Sequence, residues 1–183
     1  DVKLPKGRRS LVITGPNTGG KTVILKATGL LVLMALSGLF ITADSASVIP
    51  VMRVFADIGD EQSIAQSLST FSAHLKALKK ITDDAKDGDL VIIDEIGAGT
   101  DPIEGASLGI AIIKYLQNKN IFSLVSTHYT EVKKFAITDE SIVSAAMEFD
   151  ERELLPTYEL RYGSAGKSNA FAIAGRINLN KDI

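Results

Sequence analysis

The chain has 183 residues and is 45% hydrophobic, enough for one folded domain with a buried core and too apolar for a disordered segment. Its formal net charge of -2 announces no nucleic-acid binder by bulk electrostatics, and the lack of cysteine excludes disulfides and thiolate metal sites. Asp1 to Arg9 is polar and basic, unlike a signal peptide, and the longest apolar run, Gly29 to Ile41, falls short of the roughly 20 residues that cross a bilayer. No membrane partner and a cytoplasmic location are therefore expected. The chain starts and stops abruptly, so residues 1–183 are expected to be a single domain cut from a longer protein.

In chain order, Ser10 to Thr14 (SLVIT) reads as a buried parallel strand, followed by a glycine-rich turn over Gly15 to Gly20. Lys21 to Ser37 reads as a buried helix and Val51 to Ile58 as a strand. Ser72 to Lys86 carries Leu75, Leu78 and Ile81 at helical spacing. Leu90 to Asp94 is an apolar strand ending in an acid. Pro102 to Asn118 is a helix with proline in its first turn, where a missing N–H costs little. Ile121 to Ser126 is a strand and Tyr129 to Phe135 a short helix. Ile142 to Phe149 and Thr157 to Tyr162 alternate like half-exposed strands and are expected to form an antiparallel edge hairpin. Ser168 to Ile177 reads as a final helix. Alternating strands and helices predict a mostly parallel α/β sheet flanked by helices.

Three segments carry chemistry. Gly15-Pro16-Asn17-Thr18-Gly19-Gly20-Lys21-Thr22 fits G-x-x-x-x-G-K-[ST], with a strand before it and a helix after it. Glycines let backbone N–H groups converge on phosphate oxygens, and the helix N-terminus adds partial positive charge. Lys21 is expected to reach the β- and γ-phosphates of ATP, and the Thr22 hydroxyl to ligate Mg²⁺. Leu90-Val91-Ile92-Ile93-Asp94-Glu95 ends a buried strand in two acids, which is costly unless charge is needed there. Asp94 would hold Mg²⁺, and Glu95 would orient or deprotonate the attacking water. In Ser126-Thr127-His128-Tyr129, His128 stands at a strand end, where it could contact a γ-phosphate; read alone, the segment is more simply a helix-capping Thr127 with an exposed histidine, and its place behind the other two segments favours the phosphate contact. Lys76, Lys79 and Lys80 read as a solvated helix face, Arg8 and Arg9 as surface charge, and Phe71 and Leu30 to Met34 as core.

Taken together these segments resemble the ATPase domain of the MutS family, and the second acid resembles the ABC-ATPase-like type of P-loop NTPase. Gly15 to Thr22 is similar to the family's Walker A motif. Ser69-Thr70-Phe71 resembles its signature segment, Gly97 to Pro102 its D-loop and Thr127-His128-Tyr129 its histidine switch. Thr18 and Thr22, the segment Phe55 to Ile64, Gly97 to Pro102 and Ser168 to Phe171 resemble the second bacterial branch, MutS-II. The resemblance implies a head-to-tail homodimer, in which Ser69 and Thr70 serve the partner's ATP and Asp101 lies near the seam. It implies a cycle in which ATP binding closes the dimer and hydrolysis to ADP opens it. In a longer parent it implies DNA or ribosomal RNA as target and a nuclease domain outside this chain. Gln62 lies where a Q-loop is expected, without an assigned ligand. The family's adenine-stacking residue falls before Asp1, so part of the base-binding surface is expected to be missing. Two other readings use the same residues: a nucleotide-gated clamp with little hydrolysis, and an ABC transporter domain. The second needs a glycine-rich signature where this chain reads Ser67-Leu68-Ser69-Thr70-Phe71.

Overall fold

A computed structural model describes residues 1–16, 19–59, 67–150 and 155–163, with only the backbone for 67–70. Ten elements run in the order β1 (Ser10–Thr14), α1 (Lys21–Leu36), β2 (Val54–Asp57), α2 (Ser67–Asp84), β3 (Leu90–Ile93), α3 (Pro102–Asn118), β4 (Phe122–Thr127), α4 (Thr130–Thr138), β5 (Ile142–Asp150) and β6 (Leu155–Tyr162). One six-stranded sheet has the order β2-β3-β4-β1-β5-β6. Its first five strands are parallel, and β6 joins β5 antiparallel.

β2 and β6, at the two margins, are partly exposed, whereas β1, β3 and β4 are buried on both faces, as helix-covered parallel strands must be. Their alternation sorts the core into two halves. Val12, Val91, Ile93 and Val125 pack with Leu78 and Ile81 of α2, Ile112, Ile113 and Leu116 of α3, and Val132 and Ala136 of α4. Leu11, Ile13, Leu90, Ile92 and Leu124 face the other way, onto Leu25, Ile24 and Val32 of α1. α1 seats on β3 through Gly29, where an added Cβ would lie 2.6 Å from Ile92 Cδ1. The edge strand β2 is pinned by side chains at both ends. Arg53 donates to the buried Asp89 at 2.7 Å, and His74 Nδ1 lies 3.0 Å from Asp57 Oδ2.

Several expectations are corrected. The ABC-ATPase-like P-loop fold class gives way to a small α/β domain on a single six-stranded mixed sheet. Motif spacing reports which residues stand at strand ends, but not the order or direction of the remaining strands. The supposed edge hairpin is half interior: β5 pairs parallel with β1 from Ser10↔Ile142 to Thr14↔Ala146, leaving β6 as the edge. Alternating polarity marks a strand without telling which neighbour takes its other side. α2 starts at Ser67, not Ser72, so Ser69 and Thr70 stand within its first turns instead of ahead of it. Leu30 is 59% exposed and Leu33 47%, not core, because α1 turns only one side to the sheet. Lys76, Lys79 and Lys80 are exposed, as read. The predicted helix Ser168–Ile177 lies outside the described residues. Among the described residues no helix is long and apolar enough to cross a membrane.

Candidate functional site

Parallel strands gather their C-terminal ends on one edge of the sheet, and ligands of open α/β sheets bind there. β1 runs into the glycine loop, β3 into Asp94 and Glu95, and β4 into His128. The adjacency of these three strands brings together segments separated by more than a hundred residues.

The loop needs its glycines for reach. Gly15 has φ +135° and Gly20 φ +88°, a left-handed region that suits glycine. A Cβ on Gly15 or Gly19 would press on Met147 of β5 at 3.2–3.3 Å, and one on Gly20 would meet the Tyr158 ring at 2.8 Å. Pro16 accepts the Gly19 N–H through its carbonyl at 3.0 Å. Asn17 and Thr18 lie outside the described residues, as does Gln62.

Lys21 opens α1 and is only 2% exposed. Its Nζ donates to the Gly15 carbonyl at 2.9 Å, folding the ammonium back along the loop. Burial lowers its pKa, Glu95 and Asp94 oppose that, and Lys133 reinforces it. Thr22 Oγ1 donates to Asp94 Oδ2 at 2.5 Å, and Ser126 Oγ donates to Asp94 Oδ1. The Ser126 hydroxyl also accepts the Glu95 N–H at 2.8 Å, while the Ser126 carbonyl accepts from Ile96 N at 3.0 Å. Glu95 itself sits at φ +48°, uncommon for a residue with a Cβ and concentrated at functional sites. Thr22 and Asp94 form an adjacent hydroxyl–carboxylate pair that suits Mg²⁺, which usually takes one or two protein oxygens and completes its shell with phosphates and water. Among the described residues no group of three or more His, Cys, Asp or Glu could hold a metal by itself.

His128 follows β4 and is exposed over its whole residue. Packing around the ring still lowers its pKa, opposed by Glu95 and reinforced by Lys21 and Lys133. Asp101 stands apart from this cluster. It caps α3, accepting from Ile103 N at 2.9 Å and Glu104 N at 3.2 Å. Ser69 and Thr70 are placed by backbone alone, in the helix whose Phe71 packs on Gly99 of the Gly97–Asp101 loop.

Four further residues have contacts that the sequence does not assign: Ser126 and Tyr129 of the histidine segment, Lys133 and Tyr158. Ser126 holds Asp94 and Glu95 together, but a serine at a strand end carries no distinctive spacing. Lys133, half-buried and one helical turn past Tyr129, adds a cation that acts on Lys21 and His128. Its position right behind the histidine segment was the available signal. Tyr158, at φ +58°, covers Gly20, and the buried Tyr129 donates to the Gly97 carbonyl at 3.1 Å. Nothing local in the sequence marks either contact.

Residues 11–183 match the family model described as MutS domain V. The chain is 54% identical over 179 residues to "Endonuclease MutS2" of Clostridium botulinum (strain ATCC 19397 / Type A), covering 97% of this chain and 23% of that protein. It is 52% identical to the protein of the same name from Alkaliphilus metalliredigens, covering 93% of this chain and 22% of the relative. For Finegoldia magna the figures are 53%, 95% and 22%. The chain thus spans less than a quarter of the length of these relatives. The match also completes the correction of fold class: the chain is described as MutS domain V, and the ABC-ATPase-like class is set aside. The chain belongs to the MutS domain V family and is a MutS2-type member of the MutS proteins.

Proposed function

We propose that this chain binds ATP with Mg²⁺ and hydrolyses it to ADP and phosphate, and that nucleotide closes and hydrolysis reopens a head-to-tail homodimer. The observation that carries the reading is the buried Lys21, folded along a glycine loop beside the Thr22–Asp94 pair and Glu95. Gly15, Asn17, Thr18, Gly19 and Gly20 would wrap the phosphates with backbone N–H groups, Pro16, which has no N–H, would shape the turn, and Lys21 would neutralise the β- and γ-phosphates. Thr22 and Asp94 would hold Mg²⁺, which lowers the charge on the transferring phosphate. Glu95 would take the proton of the attacking water, and His128 would contact the γ-phosphate. Ser69, Thr70 and Asp101 would complete the partner's site. The exposed Tyr158 ring offers a face on which a base could stack, an interaction worth about 1–3 kcal/mol. In the longer protein, DNA or ribosomal RNA would be engaged by other parts, and any endonuclease activity would lie outside this chain.

Turnover measured across a wide range of protein concentration tests this. Specific activity rising with concentration is expected, and Glu95→Gln is expected to lower turnover roughly 100-fold or more while leaving nucleotide affinity within about twofold. Turnover that survives Glu95→Gln refutes the role of that residue. Binding without turnover at any concentration supports instead the nucleotide-gated clamp.

His128 offers an independent check, because the chain holds two histidines and each can be followed by NMR. Burial favours the neutral imidazole, so His128 titrates below its ordinary value. An adjacent triphosphate favours the protonated ring and shifts the titration upward. A titration of His128 that stays put on ATP binding removes it from the γ-phosphate.

A further inference from the structure

At one point on the sheet edge three groups from distant segments meet: the Tyr129 hydroxyl, the Gly97 carbonyl and the Gly105 backbone. Tyr129 is 8% exposed, and its hydroxyl donates to Gly97 O at 3.1 Å. Gly97 and Gly105 touch backbone to backbone, so that a Cβ built on Gly105 would lie 2.3 Å from Gly97 O and 3.1 Å from the Tyr129 oxygen. Gly97 itself sits at φ +82°, two residues past Glu95. The loop it belongs to runs to Asp101, whose carboxylate caps α3.

The other end of Tyr129 is tied to the nucleotide side. Its backbone N–H donates to Thr127 Oγ1 at 3.0 Å, and its ring centroid lies 4.4 Å from that of His128. One rigid aromatic side chain therefore touches His128 at one end and the loop after Glu95 at the other. Burial pushes the phenol's pKa up, with Glu95 and Asp101 adding to it, so the hydroxyl stays protonated and remains a donor. A tyrosine bond to a buried carbonyl is a poor choice for core filling alone, since phenylalanine would fill the same volume.

We infer that Tyr129 is a positioning residue that carries contact at His128 to the Gly97–Asp101 loop, and so sets Glu95 and the cap of α3 according to whether a γ-phosphate is present. The inference rests on the nucleotide reading above and deepens it. Its physical content is a shared hydrogen bond: movement of the His128–Tyr129 pair shifts the only group donated by Tyr129 to the loop, and the glycine contact at Gly105 leaves that loop little freedom to move otherwise.

The test uses the full chain and Tyr129→Phe, which keeps the ring and removes one oxygen. Binding of a non-hydrolysable ATP analogue with Mg²⁺ is measured beside amide hydrogen exchange of residues 96–101. In the unaltered chain, the analogue is expected to slow exchange in this loop by about tenfold. In Tyr129→Phe the affinity is expected to stay within about twofold while that slowing is lost, and kcat is expected to fall by about tenfold with KM unchanged. His128→Gln supplies a second variant: it leaves the Tyr129 bond in place and removes the input, and the loop is again expected not to respond. Equal slowing in the unaltered chain and Tyr129→Phe overturns the inference and leaves the nucleotide reading intact. So does an analogue that binds the unaltered chain without affecting the loop. An unaltered chain that binds no nucleotide overturns both.

Discussion

Lys21→Ala is expected to weaken ATP binding by roughly 100-fold or more without unfolding the chain. The ammonium is almost wholly buried, bonded to Gly15 O at 2.9 Å, with burial the main influence lowering its pKa. A hydrogen bond to a charged group contributes about 1.5–3 kcal/mol, so the loss of two phosphate contacts amounts to about 3–6 kcal/mol, or about two to four decades in affinity. Stability moves differently. A buried ammonium is costly to keep in the free protein, so its removal is expected to leave the thermal midpoint unchanged or raise it. Titration with a fluorescent ATP analogue and a thermal melt, run on the same samples, separate the two effects. An alanine variant that binds within about threefold of the parent would remove Lys21 from the site. One that melts far lower would mean that Lys21 serves the fold instead.

Gly97→Ala is expected to be the most damaging single-methyl change in the described residues. The added Cβ would lie 2.1 Å from Gly105 O and 2.7 Å from Gly105 C, both backbone atoms, with φ at +82°. The left-handed conformation costs a side-chain-bearing residue about 1–2 kcal/mol, and overpacking against an unyielding neighbour about 1–3 kcal/mol or more. Together these amount to about 2–5 kcal/mol, a drop of roughly 4–20 °C in melting temperature at about 2–4 °C per kcal/mol for a chain of this size. Gly7→Ala is the internal control. Gly7 has a similar φ, +86°, but nothing within 4 Å of the added Cβ, so it carries only the conformational cost. Equal melting temperatures for the two variants would show that the Gly97–Gly105 approach is looser than described.

Both residues sit where the sequence was most readable, yet for different reasons. Lys21 belongs to a spacing whose chemistry is local: a strand, a glycine turn and a helix start occupy twelve consecutive residues. Asp94 and Glu95 were legible because two acids closing an apolar strand are costly unless charge is needed there, and because the glycine loop stands in the same chain. Gly97 was legible only as part of a segment resembling a D-loop. Its contact with Gly105 depends on how α3 returns over the loop. Asp101 illustrates the gap further. The family resemblance implies a residue near a dimer seam, and the structure adds that its carboxylate caps α3.

The sequence by itself determined the elements of the first two-thirds of the chain, because burial on both faces writes parallel strands as continuous apolar runs between turns. It also picked out Gly15, Asp94, Glu95 and His128 as residues following strand ends, and Lys21 and Thr22 as the start of the helix after the glycine loop. The tertiary structure decided what those residues touch. It placed β5 between β1 and its antiparallel partner β6, set Ser126 between Asp94 and Glu95, laid Tyr158 on Gly20, and joined Tyr129 to Gly97. Apart from the β5–β6 pairing, each of these contacts spans at least 31 residues of sequence, and its geometry is set by strand order and helix return. Local preferences, which act over a few residues, carry no information about either.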